Sequence, residues 1–225
     1  MEISGHKARK QSKNYRKEER IMKVLIFCCK GFETMEFAPF VDVFGWARND
    51  FHCNIEVTTC GFTKVVTSTF GISVTVDKMF DEICVDDYDA LAIPGGFENF
   101  GFYEEAYDER FLNLISEFDK QKKYIASICV GALPIGKSGV LTGRNATTYH
   151  LSGGNRQKQL AAFGANVIPD QRIVKDCNII TSFCPETAVD VAFILLICLV
   201  GKKKADQVIS AMGLICTQNP GHILI

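Results

Sequence analysis

Short apolar runs alternate with helix-spaced segments along nearly the whole chain, and this alternation leaves few folds open. Residues 23–29 (KVLIFCC) are rich in strand formers and stop at Lys30-Gly31. Residues 37–49 carry apolar side chains at helical spacing: Phe37, Phe40, Val41, Phe44 and Ala47. Residues 55–59 and 72–76 alternate as strands, and residues 90–93 form a buried strand ended by Pro94-Gly95-Gly96. A helix marked by Phe111, Leu112, Ile115 and Phe118 precedes a strand over 124–128. Residues 157–163 read as a helix stopped by Gly164. Residues 167–174 and 179–182 suggest a hairpin about Lys175-Asp176-Cys177-Asn178. Helices over 186–200, with Pro185 in the first turn, and over 205–212 close the pattern. Such alternation implies βαβ units, hence an α/β fold with a mostly parallel sheet sandwiched by helices.

Charge and cysteine usage bound the rest. The chain has 225 residues, 47% of them apolar, and a formal net charge of −1. That is too apolar for a disordered chain and long enough for one domain with a full core. Residues 1–20 hold seven Lys or Arg and three acids, whereas the remainder carries a net charge of −5. This head has no apolar run, so it does not read as a secretory signal, and it makes a poor mitochondrial presequence. Residues 1–21 are therefore expected to be a disordered arm, or a segment added ahead of Met22. Residues 22–213 are expected to form the α/β domain and residues 214–225 a tail. Charge alone makes no case for nucleic acid as a partner. The ten cysteines include no C-x-x-C pair and fit no zinc spacing. Several lie in apolar runs, where Cys behaves as a small hydrophobe. A reducing, cytoplasmic setting is expected, with no disulfide scaffold and no metal. The longest apolar stretch, residues 191–200, is half of the roughly 20 residues a bilayer span needs, so no membrane association is expected.

In an open parallel sheet, functional groups gather beyond the carboxyl ends of the strands. Three breaks fall there. After the first run, Glu33 and Glu36 stand three apart at a helix start and can share one side, although acids also simply favour that end of a helix. Next come Gly95 and Gly96, whose N–H groups can approach a ligand as an oxyanion site requires; a tight turn is the commoner use. The third is Cys129, set between an apolar run and the small pair Gly131-Ala132. Small residues let the backbone bend sharply, lifting Cys129 out of the sheet as at a nucleophile elbow. The helix N-terminus favours an anion, so the thiol is expected to ionise more readily than a free one of pKa about 8.5. The alternative is a buried, inert cysteine in a strand-to-helix turn. Neither a G-x-x-x-x-G-K-[ST] nor a G-x-G-x-x-G loop is present, so no nucleotide cofactor is expected.

The segments KGFETMEFAPFVDVF, ALAIPGG, ASICVGALPIGKSGVLTGRNATTYH and NIITSFCPETAVDVAF resemble the DJ-1/PfpI family, and the likeness runs from residue 23 to 212. The resemblance implies a flavodoxin-like, class I glutamine-amidotransferase-like fold and a role for each matching position. Cys129 matches the reactive elbow cysteine. Glu36 matches the acid that touches its sulfur as a protonated carboxyl; neighbouring anions repel, so the two would share a proton. Gly95 and Gly96, with Val130, match the backbone donors of the oxyanion site. Tyr149-His150 falls where family members carry a histidine, with the register open by one residue. His150 is assigned a catalytic role, and Tyr149, Glu33 and Cys184 are assigned to the pocket lining. Cys184 is a resolving thiol on this reading, or a plain helix-start cysteine. Members described as intracellular peptidases carry His directly after the nucleophile; Val130 stands there and lowers the peptidase reading.

The implied chemistry is cofactor-free addition of Cys129 to a small reactive carbonyl such as methylglyoxal. Gly95 and Gly96 would hold the oxygen, and Glu36, with His150, would move the proton. That is glyoxalase or deglycase-type, stress-protective chemistry. Isonitrile hydration is a sibling, since Ala146-Thr147-Thr148 resembles that branch, and weak hydrolysis is a more distant one. The non-catalytic alternative makes Cys129 an oxidant sensor that reaches the sulfinate. The resemblance also implies a homodimer with a small-molecule substrate.

Overall fold

Val24 to Phe27 in the first strand are wholly buried, as a strand covered by helices on both faces must be. The computed structural model describes residues 20–214 and the backbone of residues 223–224. The basic head before residue 20, and most of the expected tail with Cys216, lie outside the described residues.

The chain runs β1 (Met22–Phe27), α1 (Thr34–Asn49), β2 (Ile55–Gly61), β3 (Val65–Thr67), β4 (Ser73–Thr75), β5 (Lys78–Met79) and β6 (Ala90–Ile93). It continues through α2 (Phe102–Ala106), α3 (Glu109–Lys120), β7 (Tyr124–Ser127), α4 (Ala132–Lys137), β8 (Asn145–Ala146), α5 (Asn155–Ala162) and β9 (Asn166–Val167). Last come β10 (Ile173–Asp176), β11 (Ile179–Ser182), α6 (Ala188–Val200), α7 (Lys202–Ala211) and β12 (Ile223–Leu224). Eight strands form one sheet in the order β12-β10-β11-β7-β6-β1-β2-β5. Neighbours run parallel except for the β10–β11 hairpin. Helices α1, α6 and α7 pack on one another, while α4 joins α3 and α5 in a second layer. The sequence of α6, AVDVAFILLICLV, is apolar nearly all round because it is wedged between α1, α7, β7 and β11.

Two strand expectations change. The run 167–174 is not one strand: a turn at Pro169-Asp170 splits it, so β9 pairs with β8 in a separate small sheet and β10 starts at Ile173. The run 72–76 shrinks to β4, which pairs with β3 in a two-stranded sheet outside the main one.

Helix α1 starts at Thr34, three residues ahead of the expected 37. Its buried residues are Glu36, Phe40, Val43, Phe44 and Ala47. These fall at i, i+4, i+7, i+8 and i+11, one continuous helical stripe. Val41, expected on that stripe, is 37% exposed, and Val43 takes its place. Glu36 thus occupies a position where the helix pattern calls for an apolar side chain.

The strand order reverses at one point. From β1 the chain builds outward through β2, whereas β6, β7 and β11 build the other way. In such sheets ligands bind in the crevice at the reversal, here between β1 and β6.

Candidate active site

Strands β7, β6 and β1 are neighbours, so their carboxyl ends deliver Cys129, Gly95-Gly96 and Glu36 to one place. Cys129 has φ +55°, in the left-handed region that side chains rarely adopt, at a cost of about 1–3 kcal/mol. Two contacts hold it there. Its carbonyl accepts a 2.7 Å hydrogen bond from the Thr148 hydroxyl. The following turn presses onto β6 at Gly131, where a Cβ would stand 2.5 Å from the Ile93 carbonyl oxygen.

Glu36, in the first turn of α1, is 1% exposed. Its Oε2 accepts the Gly95 N–H at 2.5 Å, and its carboxyl hydrogen-bonds the Cys129 thiol. Burial pushes the Glu36 carboxyl up to about 8, against the opposing pull of the Gly95 N–H. Cys129 is itself only 8% exposed. Burial, then the neighbouring Glu36 charge, push its thiol up, while the Val130 N–H on Sγ works the other way. The expected easily ionised thiol is therefore corrected: water is excluded from the elbow, and burial outweighs the amide. With the carboxyl the more acidic partner, the two groups behave as one titrating unit.

The Gly95 N–H is committed to Glu36, so it does not serve as the expected oxyanion donor. The Gly95 carbonyl is likewise taken, by the Glu33 N–H at 2.7 Å. Gly96 instead lines the cavity beside Cys129, and among the described residues its N–H has no backbone acceptor. A side chain at Gly96 would strike the Gly31 carbonyl oxygen. Of the three residues expected to donate backbone amides, Gly96 and Val130 are on the cavity wall.

The cavity has a volume of about 500 Å³. Beside Cys129, Glu36 and Gly96, its wall carries Tyr103, Tyr149, Ser152, Asn155, Arg156 and Pro185. Of the Tyr149-His150 pair, only Tyr149 is on the wall. His150 turns to Cys184, with Nδ1 at 3.3 Å from Sγ, and its ring rests 4.1 Å from that of Phe183. Two expected lining residues are not on the wall. Glu33 folds back on the Met35 N–H at the helix start, and Cys184, the residue before Pro185, has its thiol pushed up by burial. Sequence reasoning missed Tyr103 and Arg156. Tyr103 lies in a five-residue helix with no readable period. Arg156 opens α5 just after Gly153 and Gly154, both left-handed at φ 72° and 68°, and that glycine pair was the one available signal. Among the described residues, no cluster of His, Cys, Asp and Glu is placed to hold a metal ion. No described helix is long and apolar enough to cross a membrane.

The sequence profile of the DJ-1/PfpI family matches residues 22–197. The chain belongs to the DJ-1/PfpI family. That span contains every residue named on the cavity wall. Protein dj-1beta of Drosophila melanogaster is 28% identical over 199 residues, covering 87% of this chain and 97% of the fly protein. The crystal structure of Drosophila melanogaster DJ-1beta superposes with a TM-score of 0.76 at 25% identity, over 87% of this chain and 100% of that one. Deglycase PfpI of Pyrococcus furiosus is 32% identical over 165 residues, 73% of this chain and 91% of the deglycase. The isonitrile hydratase of Pseudomonas putida is 32% identical over 146 residues, 64% of this chain and 58% of the hydratase. The DJ-1/PfpI fold, a mostly parallel sheet flanked by helices, is the one described above.

Proposed function

We propose that this protein is a cofactor-independent cysteine enzyme that converts small 2-oxoaldehydes to 2-hydroxy acids, a glyoxalase or deglycase-type activity. One observation carries the reading: the Cys129 thiol is hydrogen-bonded to a buried carboxyl that burial has tuned to about 8, at the wall of a cavity. The relative named as a deglycase supports the same reaction class.

The steps balance as follows. Glu36, as carboxylate, takes the Cys129 S–H proton while Sγ bonds to the aldehyde carbon. The carbonyl electron pair moves to oxygen, which the Gly96 and Val130 amides hold. Glu36 returns the proton to that oxygen, completing a hemithioacetal. It then moves the carbinol C–H proton to the neighbouring ketone carbon by way of an enediol, leaving a thioester of the 2-hydroxy acid. Water cleaves the thioester, releases the acid and restores the thiol. The aldehyde carbon is oxidised, the ketone carbon is reduced, and water is the only co-reactant. A carboxyl titrating near neutrality suits this two-way traffic of protons. His150 is not needed, being engaged with Cys184.

The test is incubation of purified protein with methylglyoxal while lactate is followed, with Cys129→Ala at the uncatalysed background. A second reading is favoured by the donors already on the sulfur, the Glu36 carboxyl and the Val130 N–H, which suit sulfinate oxygens. On that reading dilute peroxide adds two oxygens to Cys129 selectively, and no lactate forms. A homodimer is part of the proposal, and sedimentation in solution tests it.

A further inference from the structure

We propose that the same cavity holds a carboxylate subsite, in which Arg156 and Tyr103 grip the acid group of an oxoaldehyde whose carbonyl faces Cys129. The substrate class is then a 2-oxoaldehyde with a carboxylate at its other end. The reactivity rests on the function proposed above; the binding does not.

Arg156 lies on the cavity wall with its guanidinium 4.9 Å from the centre of the Tyr103 ring. Its Nη2 donates to Glu98 at 2.6 Å and its Nη1 to Gln159 at 3.1 Å. A guanidinium has about five N–H donors in a planar fork, so further donors remain for a ligand. The Glu98 side chain is 66% exposed, and an ion pair so wetted is weak enough for a second carboxylate to share or displace. Tyr103 lines the same wall, and its hydroxyl is buried with no hydrogen-bond partner among the described residues. A buried polar atom left unpaired is costly and calls for an acceptor, which a ligand oxygen arriving through the cavity supplies. Charged fork and orphan hydroxyl together match an anion, and neutral methylglyoxal offers none. The cavity of about 500 Å³ is also roomy, within the range of about 300–1,000 Å³ that takes drug-sized ligands.

Calorimetry with 4-oxopentanoate and its methyl ester tests the subsite apart from turnover. The acid should bind the wild-type protein about tenfold or more tightly than the ester, as a charge-assisted contact requires. Arg156→Met should remove that preference. Tyr103→Phe, which deletes a single hydroxyl and cannot be blamed on misfolding, should reduce it. Equal binding of acid and ester to the wild type, or an undiminished preference in both variants, overturns the proposal. Turnover of 4,5-dioxopentanoate should exceed that of methylglyoxal in kcat/KM. If neither aldehyde turns over while the acid preference persists, the reaction class falls and the subsite stands.

Discussion

Glu36 and Gly95 are joined across 59 residues of sequence by a 2.5 Å hydrogen bond, carboxyl oxygen to backbone N–H. The bond fixes the acid against the elbow and commits one of the two glycine amides. Of the glycine pair, Gly95 serves the acid and Gly96 lies on the cavity wall.

Glu36→Gln keeps the Gly95 hydrogen bond and loses the proton acceptor. Conversion of methylglyoxal to lactate should fall by about 10²–10⁴-fold, the usual yield of a positioned acid–base group. Cys129→Ser should fall to background. Retention of more than about a tenth of the activity in Glu36→Gln would reject the proton route.

The rate of Cys129 alkylation against pH reports the thiol directly. Burial raises it, so the inflection should lie at or above that of a free thiol, about 8.5. A rate already level below about pH 7 would contradict this.

Stability should fall with rising pH through the Glu36 titration. In the unfolded chain a Glu carboxyl ionises near about 4.3, whereas in the fold it does so at about 8. Between those values the unfolded state has released a proton that the folded state keeps. The stabilisation is therefore complete below about pH 4 and is lost as pH rises through about 8. Urea midpoints from pH 5 to 9 should show the decline, and Glu36→Gln should flatten it.

Gly131→Ala places a methyl 2.5 Å from the Ile93 carbonyl oxygen, backbone that cannot yield cheaply. The variant should lose about 1–3 kcal/mol in denaturant melts, as overpacked sites do. Cys129 should also become more accessible to alkylation as the elbow lifts from β6.

His150→Ala breaks the contact with Cys184, and His150 is not itself on the cavity wall. Its lactate production should stay within about tenfold of wild type, less than a general acid–base group forfeits. A loss as large as that of Glu36→Gln would restore His150 to the proton route.

Much of this was legible beforehand because periodicity is a one-dimensional record of burial. β1, β6 and β7 announced themselves as apolar runs, and their ends carried Glu36, Gly96 and Cys129. The ionisation of the thiol was misread, since a helix N-terminus can be seen in a string of letters and the exclusion of water cannot. The commitment of the Gly95 amide was equally invisible, because it depends on a partner 59 residues away. Tyr103 was missed because its element, five residues long, is too short to show a period, and Arg156 because its helix was expected to begin at residue 157, one position after it. Val41 and Val43 exchanged places because both fit the spacing until the helix start is fixed at Thr34.

A leucine at position 36 would finish the greasy seam of α1 and give a sturdier, chemically mute molecule. The chain keeps an acid there instead, so under the proposed mechanism durability and reactivity compete for a single side chain. Any programme to harden this protein against heat will be drawn first to the one substitution it must refuse.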